Sequence, residues 1–137
     1  MRVCFASSDL SKLHVREVGT DAVLQRCDQA TEIVLSGMAL PELVLSFYRL
    51  QREGKITPVQ CRQLKSSLLA DIDDAVIGDL TPVVLAHAIA SLAQYALRGM
   101  DPLHIATALA LKVDVFVSAD QRQLAAAARS GLRGEAA

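Results

Sequence analysis

Asp101-Pro102-Leu103-His104-Ile105-Ala106-Thr107-Ala108-Leu109-Ala110-Leu111-Lys112-Val113-Asp114-Val115-Phe116-Val117-Ser118-Ala119-Asp120 carries the pattern that decides the fold. Asp101-Pro102 is a helix opening, because proline suits the first turn and a carboxylate there satisfies or complements free amides. Leu103, Ile105, Ala106, Leu109 and Ala110 give that helix an apolar side. Residues 113–118 then predict a strand, and Asp120 opens a last helix through Ala125 to Ala128. Helix, apolar strand and helix in direct succession form the unit of a parallel sheet covered on both faces.

The same unit recurs upstream. Residues 2–6, Arg-Val-Cys-Phe-Ala, predict a buried strand ended by Ser7-Ser8-Asp9. Helices follow over about 9–16 and 20–30. Residues 32–36, Glu-Ile-Val-Leu-Ser, predict a second strand stopped by Gly37. A long helix over about 38–53 repeats Leu40, Leu43, Val44, Phe47 and Leu50 at helical spacing. Thr57-Pro58 opens a polar helix over 58–74, and residues 75–77 predict a short strand. Thr81-Pro82 opens a helix that Gly99 ends, with Val84, Leu85, Ala88, Ile89, Leu92 and Ala96 as one buried stripe. The tail from Gly131 adds a frayed edge strand or nothing. The expected fold class is α/β: a single three-layer domain over residues 1–137, with a central parallel sheet of about four to five strands flanked by helices.

Composition agrees with this. Hydrophobic residues make up 52% of 137 residues, too many for a disordered chain. Aromatics make up 4% and Trp is absent, so Ala, Leu and Val must build the core. A net charge of −1 excludes a strongly basic footprint for duplex binding, although a local patch can still steer an anion. Cys4, Cys27 and Cys61 lack metal-ligand spacing and fit reduced, mostly buried thiols of a cytoplasmic protein. The N-terminal residues resemble a strand rather than a signal peptide, and no apolar run reaches membrane-spanning length.

Parallel sheets bind ligands outside the carboxyl ends of their strands. Asp9 follows the first strand, Glu42 lies in the first turn after the second, and Asp120 follows the strand 113–118. Asp101 joins them if its helix starts at that edge. Singly, each acid is an ordinary cap or helix-end charge. Together they repel one another unless a cation neutralises them, and all-oxygen ligation suits Mg²⁺ or Mn²⁺.

Four segments, in order, resemble the PIN-domain family, and within it the VapC-like toxins of bacterial toxin–antitoxin pairs. They are Phe5 to Leu13, Ala39-Leu40-Pro41-Glu42-Leu43, Leu97 to Leu109, and Val117-Ser118-Ala119-Asp120. The resemblance implies a Mg²⁺- or Mn²⁺-dependent endoribonuclease acting on RNA, with a cognate antitoxin as partner and a homodimer as assembly. It implies Glu42, Asp101 and Asp120 as catalytic metal ligands. Ser8 and Ser118 match the family's small hydroxyl positions. His104, one turn after Asp101, is either a partly buried helix histidine or a supporting residue that touches a phosphate or a carboxylate.

One departure stands out. The family pattern begins Asp-x-Ser at the end of the first strand, and here that position is Ala6. Three readings stay open. The domain has degenerated into an RNA- or antitoxin-binding module; or Asp9 reaches in as a replacement; or the chain is a deliberately disarmed toxin. Mg²⁺ is often held by one or two carboxylates, so weak metal binding is expected to survive. A misplacement of about 1 Å in the attacking water costs on the order of a hundredfold in rate. Lys12 and Arg16 are either solvated charges or steer phosphate.

Overall fold

Alternation along each strand decides the layers. The computed structural model describes residues 1–6, 19–98 and 100–137. Strands β1 (Arg2–Phe5), β2 (Glu32–Ser36), β3 (Val76–Gly78), β4 (Val115–Ser118) and β5 (Gly134–Ala136) form one sheet in the order β3-β2-β1-β4-β5. Every pairing is parallel, and central β1 sets Val3 beside both Ile33 and Val115. Val3, Phe5, Leu35, Val115 and Val117 enter one core, while Cys4, Ala6, Val34 and Phe116 enter another. Two-residue periodicity thus gives the sheet two apolar faces, each needing a helical cover.

On the first face lie α1 (Thr20–Gln29), α2 (Ala39–Arg52) and α3 (Pro58–Asp71). They contribute Val23, Ala39, Leu43, Phe47, Cys61 and Leu68 to that core. The second face is covered by α5 (Asp101–Ala110) and α6 (Gln121–Arg129), through Ile105, Ala108, Ala126 and Ala127. The remaining helix, α4 (Pro82–Gln94), docks on α5 rather than on the sheet. The result is the three-layer α/β architecture that the sequence predicts. The helix expected over 9–16 lies outside the described residues.

Local chemistry explains most boundaries. Thr57 caps α3 in a reciprocal capping box with Gln60, and Thr81 caps α4 by accepting the Val84 amide. Gly78 ends β3 directly beneath α5, where an added Cβ would stand 2.6 Å from Thr107 Cγ2. The tail does form a strand: β5 pairs with β4, and Glu135 is ion-paired to Arg26 of α1. All three cysteines are free thiols. Burial pushes the Cys4 thiol up to about 12, and burial with Asp28 and Asp71 pushes Cys27 to about 11, so both stay protonated and unreactive near neutrality.

Two expectations are corrected. The helix α4 ends at Gln94 rather than near Gly99, because Tyr95 is already extended. Its predicted buried stripe also divides: Val84 and Ala88 are buried, whereas Leu85, Ile89, Leu92 and Ala96 are exposed. A helix packed on one other helix buries only a narrow side. Here that side is small, with Ala88 near Ala106, flanked by Leu103 and Ala110.

Candidate active site

Strand ends and helix starts build the site. Ser118 closes β4 and is fully buried. Its hydroxyl donates to Gln123 Oε1 at 2.7 Å and accepts the Asp120 amide at 3.0 Å. Asp120 is the N-cap of α6: its Oδ1 accepts the amides of Arg122 at 2.8 Å and Gln123 at 3.4 Å. That cap fixes the carboxylate at the carboxyl end of β4, as the sequence predicts.

Asp101 differs from its expected role. Met100 is the N-cap of α5 and Asp101 is the first helical residue. Its Oδ2 accepts the Arg98 amide at 3.2 Å, which closes the turn before the helix. The Asp101 carboxyl is held above the usual aspartate range, first by burial, with the charges of Asp120 and Glu42 adding to the rise. The Arg98 amide and His104 oppose it. Asp101 therefore lies within electrostatic reach of Asp120, Glu42 and His104.

Glu42 lies in the first turn of α2, on the opposite layer of the sheet from Asp101. The two layers are linked by His104, whose Nε2 lies 2.7 Å from Glu42 Oε1. His104 is buried on α5, one turn after Asp101, while the Glu42 side chain is partly exposed. A buried donor of this kind fixes the rotamer of the carboxylate it meets. His104 is therefore a buried helix histidine and a carboxylate partner at once.

Ala6 follows β1 and donates its amide to Val117 O at 3.0 Å. It sits at the same sheet edge, is 3% exposed, and joins the apolar cluster of Ile105 and Ala126. Ser8 and Asp9, with Lys12 and Arg16, lie outside the described residues. Gln123 is the site residue that the sequence reading missed. It stands three residues after a capping aspartate, where glutamine signals a capping box, yet its side chain turns inward to Ser118 and to the Asp101 carbonyl.

The donor set is all carboxylate, which fits a hard divalent cation, and Asp101 is raised first by burial and then by the charges of Asp120 and Glu42. Among the described residues, no three His, Cys, Asp or Glu side chains stand close enough together to hold an ion as they are. The acids are gathered at one edge without forming a closed cage.

Comparison with known proteins agrees with this architecture. VapBC2 from Rickettsia felis, bound to a DNA fragment from their promoter, superposes with a TM-score of 0.72 at 13% identity, covering 99% of this chain and 98% of that one. A toxin–antitoxin complex from Klebsiella pneumoniae gives 0.67 at 12% identity, covering 90% of each chain. VapC20 from Mycobacterium tuberculosis, a sarcin–ricin loop cleaving toxin, gives 0.67 at 14% identity, covering 90% and 94%. At such identities the likeness is one of fold. No curated protein sequence matches the chain. The PIN domain model matches residues 7–129, which spans most of the sheet and its helices, and the chain belongs to the PIN domain family.

Proposed function

We propose that this chain is a VapC-like, Mg²⁺- or Mn²⁺-dependent endoribonuclease of a toxin–antitoxin pair, acting in the cytoplasm with activity reduced by Ala6. One observation carries the reading: Glu42, Asp101 and Asp120 stand at three separate helix starts, with Asp101 within electrostatic reach of the other two. Glu42, Asp101 and Asp120 would hold the ion, with Asp9 as a further candidate. A bound divalent cation supplies an activated water and offsets charge on the scissile phosphate. This chain's own groups do the positioning. His104 orients Glu42. Capping occupies Oδ1 of Asp120 and leaves Oδ2 as the ligating oxygen. Ser118 holds the Asp120 amide and so the turn on which that carboxylate rides.

The partners follow from the family reading: an RNA substrate, a cognate antitoxin and a second copy of the chain. Exposed Leu85, Ile89 and Leu92 lie on α4, which carries no Asp, Glu, Lys or Arg, so two copies can meet there without like-charge repulsion. No helix among the described residues is long and apolar enough to cross a membrane.

A second reading is a degenerate PIN domain that binds RNA or antitoxin without cleaving. It is favoured by the buried methyl group of Ala6, which offers no ligand where the family places an acid. The deciding experiment compares RNA cleavage by the chain, by Ala6→Asp, and by Ala6→Asp with Asp101→Asn. The nuclease reading expects weak cleavage by the chain itself with Mg²⁺ or Mn²⁺, stronger cleavage by Ala6→Asp and none by the double variant; an inactive chain with an active Ala6→Asp supports the binding module. If Ala6→Asp cleaves no RNA in a diverse pool, the nuclease reading is lost and the binding module stands.

A further inference from the structure

Gln123 is buried to 2% exposure in the first turn of α6, at the carboxyl end of β4. An uncharged amide buried this deeply must find partners at both ends, and it does. Its Oε1 accepts from Ser118 Oγ at 2.7 Å, and its Nε2 donates to the Asp101 backbone carbonyl at 3.3 Å. Its own amide donates to Asp120 Oδ1 at 3.4 Å. One residue thereby touches the end of β4, the start of α5 and the cap of α6. The two acids it joins lie on different helices, and no other described hydrogen bond runs between those two helix starts. Capping alone would need only the backbone amide of residue 123, so the side chain has another task.

We infer that Gln123 is a positioning residue that sets the separation of Asp101 and Asp120, and with it the affinity of the site for a divalent cation. The inference rests on the metal-site reading above. With the amide removed, α5 and α6 lose their polar tie at the ligand end, and each carboxylate moves with its own helix. Partners that hold ligating groups in place typically change metal affinity by about 10- to 100-fold.

The test is direct titration with Mn²⁺ alone, followed by electron paramagnetic resonance, on the chain, Gln123→Met, and Gln123→Leu with Ser118→Ala, each also carrying Ala6→Asp. The double replacement leaves no buried hydroxyl without an acceptor for its proton, and Ser118→Ala alone is titrated beside it, because that hydroxyl also accepts the Asp120 amide and only a loss beyond the single variant's counts for Gln123. Thermal melts in chelator report the fold separately. The expected result is a loss of about tenfold in Mn²⁺ affinity for both replacements, including the variant that melts like its parent. Unchanged affinity in a folded variant would overturn the role of Gln123 and leave the metal site standing. A loss confined to a variant that has unfolded, with the folded one binding normally, would also overturn it. If neither the chain nor Ala6→Asp binds Mn²⁺, the metal-site reading falls and takes this inference with it.

Discussion

His104 and Glu42, 62 residues apart in sequence, meet at 2.7 Å through Nε2 and Oε1. The contact joins α5 on one side of the sheet to α2 on the other. It ties Glu42 of the first layer to the helix that Asp101 opens in the second. Replacing His104 with Leu keeps an apolar filling in a fully buried position and removes the donor. Expected is a fall of about 10-fold or more in Mn²⁺ affinity, or in the cleavage rate of Ala6→Asp. His104→Leu with unchanged affinity would show the contact to be packing alone.

Asp101 offers a pH test. Burial and its acidic neighbours raise its folded-state pKa, so the folded chain holds this proton more tightly than the unfolded chain. Stability is then lost as pH rises from the ordinary aspartate range through the raised value, and stays lower at neutrality. Asp101→Asn keeps the acceptor for the Arg98 amide and cannot ionise. In chelator its melting temperature should exceed the parent's at neutral pH and match it at acidic pH. An equal melting temperature across that range would contradict a raised Asp101.

Ala6→Asp should behave in the opposite way. Position 6 is 3% exposed, and a carboxylate there is desolvated beside Ile105 and Ala126 unless a cation meets it. Melts in chelator should show a loss of about 1–3 kcal/mol. Saturating Mn²⁺ should recover about 2–3 kcal/mol by mass action at a hundredfold excess over Kd. Loss without recovery would place the new carboxylate away from the other acids.

Gly78 tests the seat of α5. An alanine Cβ would meet Thr107 Cγ2 at 2.6 Å, and Thr107 is fully buried with its hydroxyl bonded to Leu103 O at 2.8 Å. Gly78→Ala should cost about 1–3 kcal/mol in denaturant titration. Adding Thr107→Ser removes that methyl, keeps the hydroxyl and should restore most of the loss.

The exposed ridge of α4 sets the assembly test. Ile89→Glu places a carboxylate at a side chain 68% exposed, so the monomer fold should be unaffected. Light scattering should show a dimer for the parent and a monomer for the variant. A parent that is monomeric at all concentrations would rule the dimer out.

Much of the fold is legible because its signals are local. The runs 2–6, 32–36 and 113–118 can be assigned without neighbours, being short and apolar, and Thr57-Pro58 and Thr81-Pro82 mark helix starts by chemistry that acts within one turn. Glu42 and Asp120 could be placed because each sits beside a strand end. The stripe on α4 could not be read correctly. Periodicity reports which residues share a side of a helix, while burial depends on what packs there, and α4 meets a helix instead of the sheet.

The sequence by itself determined the α/β class, the strands, and the places of Glu42 and Asp120 beside strand ends. Only the tertiary structure decided that His104 braces Glu42 and that Gln123 joins Asp101 to the cap at Asp120. Both are hydrogen bonds between elements distant in sequence. Their partners are chosen by how helices pack across and along the sheet, and no spacing within a single helix or strand records that choice.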